Sequence, residues 1–455
     1  MTSPRRKAAL AAVLALSLTA AACGSDDDTG ASATTAAAEE GSDTTAASEG
    51  SDTTMAGDQS LAGTTVTILS SIRDVEAERL DAAWASFEEE TGIDIQHEGS
   101  ATFEDDLKLR VSGGDSPDLA FVPQPGLLAT LVGDGSVVPL SDLEADVETN
   151  NSADWVGFGS VDGTFYAPPF GANIKSLVWY SPAAFEEAGY AIPTTWQELL
   201  DLSQTIVDDG SVPWCVGAES GGATGWVLTD WVEDVVLRTA GPDVYDQWVS
   251  HEIPFNDPAI VTAVDAVGDI VKNEDFVLDG PQSIPSTSFQ EAGLPLLDGG
   301  CFMHRQANFY GNQFPEETTK GPDGDINAFY LPTVNADDPK VMLGGGELIT
   351  AFRDAPEVMA VAKFLTSAEY ANARLALGNW LTPNKQADIS LVTDPLEQTF
   401  AELLATSEVF RFDGSDLMPG PVGAGTFWSE MVEWVVGNTD TAEALQNIEE
   451  SWPTS

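Results

Sequence analysis

Between residues 64 and 122 the chain alternates strand-like and helix-like segments, and this alternation limits the fold more than any other feature. Thr64-Thr65-Val66-Thr67-Ile68-Leu69 is a β-branched run suited to a buried strand. Leu80, Ala83, Trp84 and Phe87 follow at i, i+3, i+4, i+7, the stripe of an amphipathic helix, and Gly92 stands where a C-cap belongs. A second strand is expected over 93–97, a helix over 103–112 ending at Gly113-Gly114, and a third strand over 118–122. Strand, helix, strand, helix, strand opens an α/β fold with a parallel sheet. Further on the alternation is less regular. A strand is expected over 176–180, and a helix begins at Thr195, which stands at capping-box spacing from Glu198. Helices are also expected over 356–366, with Val358, Val361, Ala362 and Leu365 on one face, over 426–436 and over 441–451.

The N-terminus is of a different kind. Arg5-Arg6-Lys7 precede an apolar run too short to span a membrane, which ends in Ala20-Ala21-Ala22-Cys23. This end resembles a bacterial lipoprotein box, although the leucine usual three positions before the cysteine is missing. The resemblance implies a signal peptide over 1–22 and lipidation of Cys23; a plain secretory signal is the alternative. Residues 24–60 hold no aromatic residue, Lys or Arg, and Glu-Gly-Ser-Asp-Thr-Thr occurs at both 40–45 and 49–54. Such a segment has too little apolar area to offset its ordering entropy, so 23–60 reads as a lipidated cysteine followed by a disordered acidic tether. A tether of this length reaches roughly 30–35 Å. The expected location is the outer face of the cell membrane, reached only through the lipid anchor, because no later apolar run has the length of a span.

Acidic residues number 74 against 18 basic ones, which argues against nucleic acid and disfavours anionic ligands. Neutral or cationic small molecules fit, and adaptation to a saline habitat would explain the same excess. With Cys23 given to lipid, Cys215 and Cys301 remain as an expected structural disulfide in an exported protein. No Cys-x-x-Cys or Cys/His cluster points to a metal. No cofactor is expected either.

Several spaced motifs carry a resemblance. They are Gly113-Gly114-Asp115-Ser116-Pro117-Asp118-Leu119, Tyr166-Ala167-Pro168, Leu177-Val178-Trp179-Tyr180-Ser181, Pro193-Thr194-Thr195-Trp196-Gln197-Glu198-Leu199, and Met418-Pro419 followed by Phe427-Trp428. In this order they resemble extracellular solute-binding proteins of carbohydrate ABC importers, the maltose/maltodextrin-binding class. The segments 213–217, 231–234 and 244–248 are similar to its α-glucoside-binding branch. The resemblance implies a two-lobed periplasmic-binding-protein-like α/β clamp, each lobe a sheet flanked by helices, joined by hinge strands. One lobe is expected at 61–172 plus 331–375 and the other at 173–330 plus 376–455. It also implies a monomer that captures a small sugar and delivers it to the transmembrane subunits of an ABC permease. It is not an enzyme on this reading.

A sugar needs polar groups for its hydroxyl rim and flat aromatics for its faces. The expected substrate-binding residues are Asp74, with a helix-capping role as its alternative, Gln124, Asn173, Lys175, Glu219, Trp226, Asp230, Arg305, Phe309, Gly345, Glu347 and Trp428. Trp231, Val235 and Leu237 read as core instead. The segment Val122-Pro123-Gln124-Pro125-Gly126 lacks the tryptophan and aspartate–arginine pair of maltodextrin binders, which speaks against a long maltodextrin. A polyamine or peptide cargo in the same clamp is the nearest rival. A secreted glycosidase is a more distant one, since two carboxylates would serve it, yet no catalytic motif accompanies them.

Overall fold

The structure is a computed structural model that describes residues 61–407 and 409–453. The signal peptide, Cys23 and the tether lie outside the described residues. Those described fall in one compact unit, Met55–Ser455.

The opening alternation folds as its pattern dictates. Strand β1 (Thr65–Ser70), helix α1 (Asp74–Thr91), β2 (Asp94–Gly99), α2 (Phe103–Gly113) and β3 (Leu119–Val122) follow one another, then α3 (Pro125–Gly133). β1 is parallel to both β2 and β3, with Val66 opposite Ile95 and Ile68 opposite Leu119. Gly92 ends α1 in the left-handed region, φ 72°, where its N–H meets the Glu88 carbonyl. The helix over 196–208 is capped as its sequence spacing implies. Thr195 Oγ1 accepts the Glu198 N–H at 3.2 Å, and the Glu198 carboxylate reaches back to the Thr194 N–H.

Beyond residue 172 the sheets change character, and parallel alternation does not continue. The chain passes through β4 (Asn173–Ile174), β5 (Leu177–Tyr180), helix α4 (Trp226–Thr239), β6 (Met303–Arg305), β7 (Asn327–Tyr330), β8 (Val341–Gly345) and β9 (Leu348–Ala351). Helices α5 (Pro356–Leu365) and α6 (Ala368–Leu375), strand β10 (Val409–Phe412), and helices α7 (Trp428–Val435) and α8 (Thr441–Ser451) complete the set used below. β5 is the centre of an antiparallel sheet between β6 and β7. β8 pairs parallel with β10 and antiparallel with β4, and β9 closes the first sheet antiparallel to β3.

Two large cores result. One joins β1, β3 and α5 through Val66, Phe121 and Val361; the other gathers Trp214, Trp231, Trp248 and Trp434 around α4. Trp380 and Val392 pack in the first core, whereas Leu331, Val341 and Leu343 pack in the second. A third cluster, including Trp155, Ile174, Trp179 and Phe412, lies at the crossings. Cys215 and Cys301 form the disulfide, Cα–Cα 5.7 Å, and tie the segment before α4 to the edge of β6.

Candidate functional site

A cleft with a cavity of about 190 Å³ is walled by both cores. Its rim is fastened by hydrogen bonds from α1 and its N-cap. Arg73 Nη2 donates to Gln290 Oε1 at 2.9 Å and Arg79 Nη1 to Asn312 Oδ1 at 2.5 Å. Gln124, at the carboxyl end of β3, enters where open α/β sheets present their ligand-binding loops. Asn173 opens β4 and Lys175 follows it, while Gly345 ends β8 and Glu347 lies in the turn before β9.

Trp226, Phe309 and Trp428 form the aromatic side, reinforced by Phe289. Trp226 lies edge-on to Phe289, with ring centroids 5.2 Å apart, and Lys175 Nζ is 5.3 Å from the centre of the Trp226 ring. Trp428 opens α7 directly after a π-helical turn over Val422–Phe427. That turn sends Phe427 into the core against Trp248 and Phe255 and leaves the Trp428 indole on the cleft.

Beneath the aromatics lies a buried charge network. Lys175 Nζ is 2.9 Å from Asp230 Oδ1 and 2.5 Å from Asp413 Oδ2. Burial works against its ammonium, yet Asp230, Asp413 and Asp416 outweigh it and hold the pKa well above the ordinary lysine value. Burial also opposes charge on Asp413, but Lys175 and several hydrogen bonds keep that carboxyl far below the usual range. Burial with Asp413 alongside drives Asp416 and Glu233 strongly upward. Glu233 accepts the Gly414 and Ser415 N–H groups, which fixes the turn that carries Asp413. Asp230, Glu233 and Asp413 stand close enough together for a metal ion, but the Lys175 ammonium already supplies the positive charge.

Four expected residues stand off the cleft. Asp230 and Arg305 are buried behind Lys175, where Arg305 also binds Asp234 at 2.9 Å. They are drawn into the charge network, which leaves them no face toward the cavity. Asp74 is exposed as the first residue of α1, with φ 55°, and Arg73 takes the N-cap position. Glu219 turns onto its own loop and accepts the Gly221 N–H at 2.9 Å. The space beside it at Gly221-Gly222 is filled by Ala101 and Asp105, which a Cβ at either glycine would crowd. In the glycine run, Gly344 makes room for Phe410 and Gly346 for the Gly171 carbonyl, while Gly345 and Gly346 both border the cavity.

Sequence reasoning missed Glu76, Glu104, Trp380, Asp413 and Asp416, all of which border the cavity. The one signal for the last two is the Asp413-Gly-Ser-Asp416 turn just before Met418-Pro419. Several buried polar atoms of the wall have no partner: Gln124 Oε1, Trp380 Nε1 and Arg73 Nε. Buried polar atoms left in this way are costly, and a ligand rich in hydroxyls would satisfy them.

Fold and cleft together define a clamp-type solute receptor. Residues 72–372 match the bacterial extracellular solute-binding protein family, and the chain belongs to it. It is 42% identical over 85% of its length to the osmoprotective compounds-binding protein GgtB of Synechocystis, covering 92% of that protein. It is 38% identical over 86% of its length to the alpha-glucosides-binding periplasmic protein AglE of Rhizobium meliloti, covering 88% of it. Maltose-bound MalE3 of T. maritima shares the fold, with a TM-score of 0.69 at 18% identity over 85% of this chain and 98% of that one. The chain is a binding protein, not an enzyme. Among the described residues, no helix is long and apolar enough to cross a membrane.

Proposed function

We propose that this chain is the substrate-binding component of a carbohydrate ABC importer, taking a neutral α-glucoside of disaccharide size and presenting it to a membrane permease. The observation that carries the reading is the pairing of an aromatic wall (Trp226, Phe309, Trp428) with unpartnered buried polar atoms opposite (Gln124 Oε1, Trp380 Nε1). Rings stack on the first, and hydroxyls satisfy the second. The names of the relatives, one for alpha-glucosides and one for osmoprotective compounds, agree with a small, hydroxyl-rich solute. The acidic lining does not make the cleft a cation trap. Lys175 is matched by two carboxylates, and burial raises the pKa of Glu76, Glu347 and Asp416, so their charge is diminished. Lobes carrying the two cores close over the ligand, and the permease reads the closed form. Cys23 and the tether after it anchor the receptor outside the membrane.

Titration of tryptophan fluorescence with trehalose, sucrose and maltose tests this. Micromolar binding, about −8 kcal/mol, without turnover is expected for at least one of them. Binding of spermidine with no response to any of the three would establish the polyamine alternative.

A further inference from the structure

Behind one end of the cleft lies Arg374, on α6, fully buried and poorly satisfied. Its Nη1 donates to the Gly378 carbonyl at 2.8 Å, but Nε and Nη2 have no hydrogen-bond partner. Nη2 stands 3.9 Å from Glu76 Oε1, and the guanidinium carbon is 5.6 Å from the centre of the Trp380 ring. Glu76 and Trp380 both border the cavity, and Glu347 completes that end. Gly171 allows the convergence: an ideal Cβ there would lie 2.8 Å from Trp380 Nε1 and 3.0 Å from Glu347 Oε2. Without that Cβ, an indole donor and a carboxylate acceptor face the same small volume.

We propose that Arg374 is a positioning residue of the binding site, its guanidinium fixing the Glu76 carboxylate and the Trp380 indole as one hydroxyl-reading end wall. The inference rests on the sugar-binding reading above and deepens it, because it names the groups that recognise a terminal ring. Glu76 accepts from a hydroxyl, Trp380 Nε1 donates to one, and Arg374 touches neither hydroxyl but holds both partners.

The arrangement links ligand affinity to protons. Facing Glu76 are Arg79 on its own helix, Arg374 and Tyr370 on α6, and Glu347 on the turn between β8 and β9. Arg374 in turn faces Glu397. Burial raises Glu76 to about 7, Arg374 and Arg79 pull it down, and Glu347 adds to the rise. A ligand that needs the ionised carboxylate binds better as pH rises through that value. Its Kd should therefore fall about tenfold from pH 6 to pH 8, with a proton released on binding near pH 7.

The test is calorimetric titration of the tightest-binding disaccharide at pH 6, 7 and 8, on wild type, Glu76→Gln, Arg374→Gln and Arg374→Lys. Glu76→Gln should bind with a Kd that varies less than twofold over this range. Arg374→Gln should move the wild-type profile to higher pH by about a unit, since the influence that lowers Glu76 is gone. Arg374→Lys should restore most of the shift but not the full affinity, because an ammonium cannot hold carboxylate and indole together. If Arg374→Gln does not fold, the Glu76→Gln and Arg374→Lys profiles decide. A flat wild-type profile, or a pH dependence that persists in Glu76→Gln, overturns this inference while leaving sugar binding in place. A wild type that binds no disaccharide overturns the functional reading and this inference with it.

Discussion

The Lys175 ammonium lies 2.5 Å from the Asp413 carboxylate, joining segments 238 residues apart in the wall of the cleft. Both side chains are almost wholly buried, and Asp230 closes the triad from α4. The pair fastens the crossing after β4 to the turn after β10, so the aromatic wall is set on a charged base. Removing one partner of such a network strands the others in a low-dielectric interior. Lys175→Met should cost about 3–5 kcal/mol in urea unfolding followed by circular dichroism. A loss below about 1 kcal/mol would show that the network relaxes freely and does not fasten the wall.

Trp428 is almost wholly buried and borders the cavity, the position a stacking platform requires. Its indole N–H reaches Ser415 Oγ at 3.4 Å, which fixes the plane of the ring. Trp428→Ala should weaken disaccharide binding by more than about 1 kcal/mol, or at least about fivefold in Kd. Calorimetric titration reads this directly, and an unchanged Kd would remove Trp428 from the binding surface.

The parts of this site that local chemistry encodes were legible before folding. Gln124 stands in the Pro-Gln-Pro that follows a strand, Gly345 and Glu347 lie in a glycine run, and Trp428 follows Phe427 in a spaced motif. Each carries its signal within a few residues. Trp380 and Glu76 carry none, and Asp413 only the turn it opens, because their roles come from Gly171, Arg374 and Lys175, far away along the chain. Asp230 and Arg305 show the converse. Their chemistry suits a sugar, yet buried counter-charges claimed them. The fold was legible for a similar reason: β1 to β3 announce themselves by periodicity, whereas two-residue β4 is a strand only because β8 lies beside it.

His304 and His97 are the buried bases that should govern acid stability. Burial lowers both to about 4; His304 Nδ1 bonds the Cys215 carbonyl at 2.9 Å, and His97 Nε2 bonds Ser70 Oγ at 2.7 Å. A histidine kept neutral on folding contributes its full stability above its unfolded pKa of about 6.5 and loses it as pH falls toward 4. Each is worth on the order of 2–3 kcal/mol across that window. Glu76 acts with the opposite sign, since its raised pKa costs stability as pH rises from about 4.5 toward 7. The useful comparison is therefore between chains. His304→Gln should show a shallower loss of stability from pH 6.5 to 4 than wild type in urea unfolding. Parallel curves would mean that folding leaves the His304 pKa unshifted.

The disulfide offers a test that separates stability from binding. Cys215 and Cys301 are 86 residues apart, and a loop of that length is worth about 4–5 kcal/mol in the chain-entropy model, with native strain able to reduce it. Their neighbours, however, are already held by other means. The Cys215 N–H meets the Met303 carbonyl at 2.9 Å, and β6 pairs with β5 along its length. Phe309, the nearest cleft aromatic in sequence, lies beyond this anchored strand. The paired Cys215→Ala, Cys301→Ala chain should unfold at clearly lower urea, by about 3 kcal/mol in extrapolated stability, while its Kd for disaccharide at 25 °C stays within twofold. A large loss of affinity with stability intact would instead show that the bridge shapes the cleft directly.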